Sequence, residues 1–280
     1  MKLFIDIGGT HLRSELHAGT EIHTDVLPTA KNDLVEVIEK KIEKYPQIVF
    51  VGISYAGQVN GGEILSAPNI VVRERKIKAY FESRYALRLE IDNDLNCAVM
   101  AEAEHYGSDS VAALYVGTGI GSAVIDGGRM VRGFGNLAGE IGHIPYRETP
   151  FACGCGKRNC IELYASGSGI ERWMRYNHIE KDADLKLLKH SDNAKEREIA
   201  EGFEEALLHA SATLVTLSNP KMLILGGGVI GKNDYLADLI RERIGDFALG
   251  VSVSGLIIEH STLENAAIEG AKLLEERVYG

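Results

Sequence analysis

Short apolar runs broken by glycine turns open the chain. They predict three strands in succession, at 1–7, at 12–16 beyond Gly8-Gly9-Thr10, and at about 22–27 beyond Gly19. The period then lengthens. Leu34, Val37, Ile38 and Ile42 fall at i, i+3, i+4 and i+8, so 33–44 is predicted as an amphipathic helix. Strands are predicted again at 48–54 and 89–91, and a helix at 94–105 that stops at Gly107. A second cycle starts there: an apolar strand at 111–116 runs into Gly117-Thr118-Gly119-Ile120-Gly121, and a strand at 122–125 follows, with a turn at Gly127-Gly128. A long helix at about 195–218 precedes a strand at 222–225 and Gly226-Gly227-Gly228. Helices at about 234–243 and 265–278 close the chain.

Two cycles of strand, glycine turn and strand, mixed with helices, predict two α/β lobes facing one cleft. No stretch rich in Pro, Gly or Ser separates them, so the boundary near 106–111 is expected to be a hinge and not a tether.

Composition narrows the function classes. The 280 residues are 45% hydrophobic and 25% charged, enough to bury a substantial core. A formal net charge of −10 argues against a nucleic-acid surface. The densest basic run, Arg73, Arg75, Lys76 and Lys78, interleaves with Ile77, Tyr80 and Phe81 at helical spacing and is expected to be a solvated helix face. No uninterrupted apolar run approaches the ~18 residues of a membrane helix, and no secretory signal pattern opens the chain, so a cytoplasmic location is expected.

Three features carry chemistry. A strand ending in glycines can turn backbone N–H groups into an anion-binding nest, and glycine permits close approach. Gly8-Gly9-Thr10 adds a hydroxyl, with Asp6 placed to hold Mg²⁺ through water. Gly117-Thr118-Gly119 and Gly226-Gly227-Gly228 repeat the device. Each cluster alone reads as a β-turn; three together fit a nucleotide. Second, Cys153-x-Cys155 and, after four intervening residues, Cys160 offer thiolates at metal-ligand spacing, with His143 ten residues upstream as the candidate fourth ligand. Four protein ligands make a closed, structural zinc site. Third, Asp92-Asn93-Asp94 lies between a strand and a helix, where carboxylate chemistry competes with helix capping. Glu140 and Glu162 flank the metal ligands, and taken alone they read as surface carboxylates.

In this order, these motifs resemble the ROK family over nearly the whole chain. The matching segments are Asp6-Ile7-Gly8-Gly9-Thr10-x-x-Arg13, Asn93-Asp94 with Asn96, and Gly117-Thr118-Gly119-Ile120-Gly121. The most specific is Ala138-Gly139-Glu140-Ile141-Gly142-His143 with Cys153-Gly154-Cys155-Gly156 and Cys160-Ile161-Glu162. The resemblance implies the actin-like (ribonuclease H-like) α/β ATPase fold, two lobes around a central cleft. Residues 1–108 with the C-terminal helix 265–280 would form one lobe, and 109–264 with the zinc knuckle the other. It implies a kinase that moves the γ-phosphoryl group of ATP to a hexose hydroxyl, usually the 6-hydroxyl, with Asp94 as general base. Asn69, Asn93, Glu140, His143 and Glu162 would bind the sugar. Asp6, Gly8, Gly9, Thr10, Gly117, Thr118, Gly119, Gly227 and Gly228 would bind ATP and its Mg²⁺, and His143, Cys153, Cys155 and Cys160 a structural zinc. A homodimer is the implied assembly. Glucose is the default substrate, with N-acetylmannosamine, N-acetylglucosamine or fructose as alternatives. A sugar-sensing regulator is the rival class; with Asp6 so near the start, no space is expected for its DNA-binding module.

Overall fold

The computed structural model describes residues 1–66 and 70–276, so Asn69 lies outside the described residues. The chain divides into two units, Met1–Tyr106 with Arg132–Ala138 and Leu263–Gly280, and Gly107–Val131 with Gly139–Thr262.

In the first unit the opening glycine turns do what the pattern predicts. Strands β1 (Lys2–Ile7), β2 (His11–Ala18) and β3 (Glu21–Pro28) form an antiparallel meander. Asp33 then caps helix α1 (Leu34–Lys44), its carboxylate accepting from the Glu36 N–H, and Leu34, Val35, Val37, Ile38 and Ile42 are buried. Strand β4 (Phe50–Tyr55), buried at every position, pairs parallel to β1. The short strands β5 (Val59–Asn60) and β6 (Glu63–Ile64) form a hairpin too brief to leave a periodic signal. Helix α2 (Ile77–Arg84) leads to β7 (Arg88–Asn93), parallel to β4, and the sheet order is β3-β2-β1-β4-β7. Helix α3 (Asp94–His105) follows β7 without a loop.

The basic run is not a helix face as expected. Helix α2 starts only at Ile77, so Arg73, Arg75 and Lys76 precede it. Arg73 pairs with Asp33, Glu36 and Glu39, and Lys78 lies 2.8 Å from Glu90. Local carboxylates pair with Arg73 and Lys78, and Arg75 donates to the Leu65 carbonyl at 2.8 Å.

The C-terminal helix, Ala266–Leu273, packs against α3, β1 and β4. Glycines permit this. A Cβ on Gly270 would lie 1.8 Å from the Cys97 carbonyl oxygen, and one on Gly52 would lie 2.4 Å from that of Ala271. Backbone meets backbone here, and no rotamer change relieves an added methyl. Gly270→Ala is therefore expected to destabilise the protein by about 3 kcal/mol, at the upper end of overpacking costs. A urea-unfolding midpoint unchanged from wild type would contradict the packing argument.

The second unit repeats the sheet logic. Strands β8 (Val111–Val116), β9 (Ile120–Asp126) and β10 (Arg129–Met130) run antiparallel. Helices α4 (Gly167–Tyr176), α5 (Leu185–Lys189) and α6 (Ala194–Ser218) intervene before β11 (Met222–Gly226), which pairs parallel to β8. Helices α7 (Gly228–Lys232) and α8 (Tyr235–Arg243) and the edge strand β12 (Ile257–His260) complete the order β10-β9-β8-β11-β12. The 25-residue α6 buries Phe203, Leu207 and Leu214 with Leu114, Leu225 and Leu236, and ends where Asn219 turns left-handed at φ 43°. The pattern did not predict α4, because its first turn, Gly167-Ser168-Gly169, reads as a breaker. Ser166 rescues it by capping the Gly169 N–H at 3.0 Å.

One boundary differs from the sequence expectation. Arg132–Ala138 groups with the first unit although the chain on both sides belongs to the second. Its anchors are an Arg132–Asp92 ion pair of 2.7 Å and a 2.8 Å bond from Asn136 Nδ2 to the Val59 carbonyl.

Candidate active site

In the first unit the parallel pairing of β1, β4 and β7 sets Asp6 opposite Ser54 and Ser54 opposite Asp92. A row of polar residues therefore crosses these three parallel strands near their C-terminal ends. Asp6 is 7% exposed; Ser54 Oγ donates to it at 3.0 Å, and Arg13 lies 3.6 Å away. Burial raises the Asp6 pKa above the usual carboxylate range, opposed by Ser54, Arg13 and Asn265. A buried carboxylate held up in this way suits a bound cation, which would favour its charged form.

The Gly8-Gly9-Thr10 turn is held from outside by Thr29, whose hydroxyl donates to the Gly8 carbonyl at 2.7 Å and whose N–H donates to that of Thr10 at 3.0 Å. The Gly8 N–H closes the turn on the His11 carbonyl at 2.9 Å, and the Gly117 N–H closes the second hairpin on the Gly119 carbonyl at 2.9 Å. The first amide of each of these two turns is thus committed within it, and the later amides are the ones left to form a nest. A Cβ built on Gly9, Gly117 or Gly228 would meet no described atom within 4 Å. Internal packing does not explain glycine at these positions, and the open space beside them leaves the backbone accessible to close approach.

Asn93 and Asp94 sit where β7 becomes α3. Asn93 caps the helix: its Oδ1 accepts from the Leu95 N–H at 2.9 Å and the Asn96 N–H at 3.3 Å, while Nδ2 donates to the Gly57 carbonyl at 3.1 Å. Asp94, the first helical residue, is partly exposed, and its Oδ1 accepts from the Leu95 N–H at 3.0 Å. Asp92 points into the protein and is 1% exposed. Of the three consecutive polar residues, one is buried, one caps, and Asp94 carries a carboxylate with access to solvent.

In the second unit, β8 and β11 pair so that Tyr115 faces Gly226, which sets the Gly117-Thr118-Gly119 hairpin beside the Gly227-Gly228 turn. Gly227 has φ 89°, and a Cβ there would lie 2.4 Å from the Val116 carbonyl oxygen, so only glycine fits. The first turn of α4 also buttresses the hairpin. The Gly167 N–H donates to the Gly117 carbonyl at 2.8 Å, and the Ser168 N–H to that of Thr118 at 3.0 Å.

Four potential metal ligands converge in the same unit. His143 stands on a 3-10 turn, Ile141–His143, and Cys153, Cys155 and Cys160 come from the following knuckle. Their ligand atoms all lie within 4.8 Å of one another. Cys153 Sγ is 3.6 Å from His143 Nδ1, and the Cys155 and Cys160 sulfurs are 3.4 Å apart. Zinc–sulfur bonds of about 2.3 Å at tetrahedral angles put ligand atoms about 3.7 Å apart, so the set fits zinc. Burial pushes the Cys153 and Cys160 thiols up, Cys160 to about 12, whereas the Lys157 backbone N–H lowers that of exposed Cys155.

Glu162 joins this knuckle to the hairpin. Its Oε1 accepts from Cys153 Sγ at 3.4 Å, its Oε2 lies 3.4 Å from the Ile120 N–H, and a Cβ on Gly119 would come 2.7 Å from that same oxygen. Glu140 is exposed, with its Oε2 3.9 Å from His143 Nε2. The structure thus brings Glu140, His143 and Glu162 together around the knuckle, and sets Asp6 and Asn93 on one sheet with Asp94 at the head of the helix that follows β7. Sequence reasoning missed Arg132 and Asn136, which reach Asp92 from a glycine-rich segment that carries no periodic signal.

Residues 3–278 match the ROK family. An N-acetyl-D-glucosamine kinase of Vibrio vulnificus is 27% identical over 297 residues, 96% of this chain and 97% of that protein. A glucokinase of Streptomyces coelicolor is 30% identical over 277 residues, covering 88% of this chain and 87% of its own length. The crystal structure of a ROK family glucokinase from Streptomyces griseus in complex with glucose and AMPPNP superposes with a TM-score of 0.75. The two are 26% identical, and the match covers 99% of both chains. No helix among the described residues is long and apolar enough to cross a membrane.

Proposed function

The chain belongs to the ROK family, and on that premise we propose that it transfers the γ-phosphoryl group of ATP to the 6-hydroxyl of a hexose, with Asp94 as the general base. One observation carries the assignment of the base: at the β7–α3 junction Asp92 is buried and Asn93 caps the helix, while the Asp94 carboxylate is partly exposed at the helix head.

Each group has a part in the reaction. Asp94 accepts the proton of the attacking hydroxyl as the new O–P bond forms and the bond to the β-phosphate oxygen breaks, giving a sugar phosphate and ADP. Asn93, Glu140, His143 and Glu162 hold the sugar hydroxyls, and Asn69, outside the described residues, is assigned with them. The hairpins at Gly8-Gly9-Thr10 and Gly117-Thr118-Gly119 supply phosphate donors from their later amides and threonine hydroxyls, and the Gly227-Gly228 turn lets the nucleotide lie against backbone. Asp6 would hold Mg²⁺ through its water shell, supplying charge neutralisation at the phosphates. His143, Cys153, Cys155 and Cys160 would hold zinc with four protein ligands, a closed site that fixes the His143 ring and the Glu162 carboxylate.

Glucose is the primary substrate in this proposal, because the S. coelicolor relative is a glucokinase. The V. vulnificus relative favours N-acetylglucosamine as the second reading. The test is ADP release with ATP, Mg²⁺ and a panel of glucose, mannose, fructose, N-acetylglucosamine and N-acetylmannosamine. Glucose is expected to give the highest kcat/KM, on the order of 10⁴ M⁻¹s⁻¹ or above. If every sugar fails to release ADP while one raises the melting temperature, the protein is a sugar binder and the kinase assignment falls.

A further inference from the structure

Asp92 is the most fully bonded carboxylate near the proposed base. Its Oδ1 accepts from the Asn93 N–H at 2.8 Å, from Asn96 Nδ2 at 2.9 Å and from Asn136 Nδ2 at 3.1 Å, and its Oδ2 meets Arg132 at 2.7 Å. Asn136 closes the ring of contacts. Its Oδ1 accepts from Arg132 at 2.8 Å and from Asn96 at 3.2 Å, and its Nδ2 also donates to the Val59 carbonyl at 2.8 Å. These partners bracket Asp94 on both sides in sequence, with Asp92 and Asn93 before it and Asn96 after it.

Two features separate this cluster from ordinary packing. Asn136 holds φ 59°, in the left-handed region that a non-glycine residue occupies at a cost, and its side chain bonds four separate groups. Moreover, Arg132 and Asn136 come from Arg132–Ala138, a segment that leaves the second unit only to join this one. A helix cap alone needs neither, because Asn93 already caps α3.

We propose that Arg132 and Asn136 are positioning residues for phosphoryl transfer, clasping Asp92 so that the first turn of α3 presents Asp94 in its reactive orientation. The proposal rests on the assignment of Asp94 as base. The clasp touches neither substrate in this scheme; its effect falls on kcat and spares ATP binding.

The geometry offers a test by chemical rescue. Arg132, Asp92 and Asn136 line a cavity of about 330 Å³ together with Asn60, Lys78 and Phe134. In Arg132→Ala that space admits a guanidinium ion against the Asp92 carboxylate. Arg132→Ala is expected to lower kcat about a hundredfold, the scale of a misplacement near 1 Å, with KM for ATP within about threefold of wild type. Millimolar methylguanidinium should restore at least about a tenth of the lost rate, and methylammonium, lacking the planar fork, should restore less. Asn136→Gly keeps the left-handed backbone and removes only the side-chain bonds, so it folds with a melting temperature lowered by about 2–8 °C; its kcat is expected to fall about tenfold at temperatures where it is fully folded. A wild-type kcat in Asn136→Gly overturns the proposal, as does a loss in Arg132→Ala that methylguanidinium leaves unchanged. Asp94→Asn, measured alongside, separates the two assignments. An active Asp94→Asn removes the base assignment itself, whereas an inactive one beside a fully active Asn136→Gly removes only the clasp.

Discussion

Asp94→Asn is expected to lower kcat about a thousandfold, within the range for loss of a positioned general base, while leaving the protein folded and able to bind sugar. The amide matches the carboxylate in size, and its oxygen can keep the 3.0 Å contact that Oδ1 makes with the Leu95 N–H. The helix retains its cap, which belongs to Asn93. What the amide cannot do is take the hydroxyl proton. The melting temperature should therefore stay within about 2 °C of wild type, as for substitutions outside the core. Rapid-quench measurement of sugar phosphate gives the rate, and calorimetric titration with glucose gives the affinity. A kcat within tenfold of wild type would remove Asp94 as the base. Lost sugar binding would mean that the carboxylate also holds the substrate.

The same substitution at Asp92 separates neighbouring roles. Asp92 is buried against Arg132, so neutralising it removes the charge that balances the guanidinium and acts first on stability. The two aspartates look equivalent in the string Asp92-Asn93-Asp94. Only the pleat distinguishes them: Asp92 lies on β7, in the row with Ser54 and Asp6, whereas Asp94 has already entered the helix. A capping motif was legible in the sequence, but which of the three residues capped, and which pointed inward, was not.

Elsewhere, legibility follows the range of the interaction. Helix α1 was readable from its cap and its four apolar positions, because both signals lie within one segment. The metal knuckle was readable because its three cysteines lie within eight residues and glycines permit the turn. Strand β12, only four residues long, and helix α4, opening on glycines, had no period strong enough to register. Gly270 against Cys97 spans 173 positions (270 − 97), and Asn136 against Asp92 spans 44. Contacts of that kind exist only after the chain has folded. Even in the glycine turns, sequence gave the location but not which amide closes the turn on itself.

Removing the metal is expected to have the second large effect, and Cys155→Ser is the variant that isolates it. Of the four proposed ligands, Cys153 and Cys160 are buried and His143 is half-buried beside Glu140, so replacing any of these would also disturb packing or a proposed sugar contact. Cys155 is exposed, and serine differs from it by one atom. Three remaining ligands leave a coordination position to water, and zinc held at about one equivalent per wild-type chain should fall well below that in the purified variant. The knuckle's own core is small: Cys153, Cys160 and Leu163, with Phe151 and Tyr164 against them. Without the cation that cluster must hold buried thiols close together with little apolar contact in return, so the melting temperature should drop by about 5–10 °C. The effect then passes through Glu162, which the Cys153 thiol contacts at 3.4 Å, to the hairpin at Gly119 and Ile120. KM for the sugar is expected to rise about 10- to 100-fold, the scale on which loss of a ligand's supporting contacts weakens a site. Metal analysis of the variant and sugar kinetics of chelator-treated wild type, before and after zinc is returned, check the two halves separately. A full zinc equivalent in Cys155→Ser would remove that cysteine from the ligand set, and an unchanged sugar KM in the metal-free enzyme would confine the cation to folding.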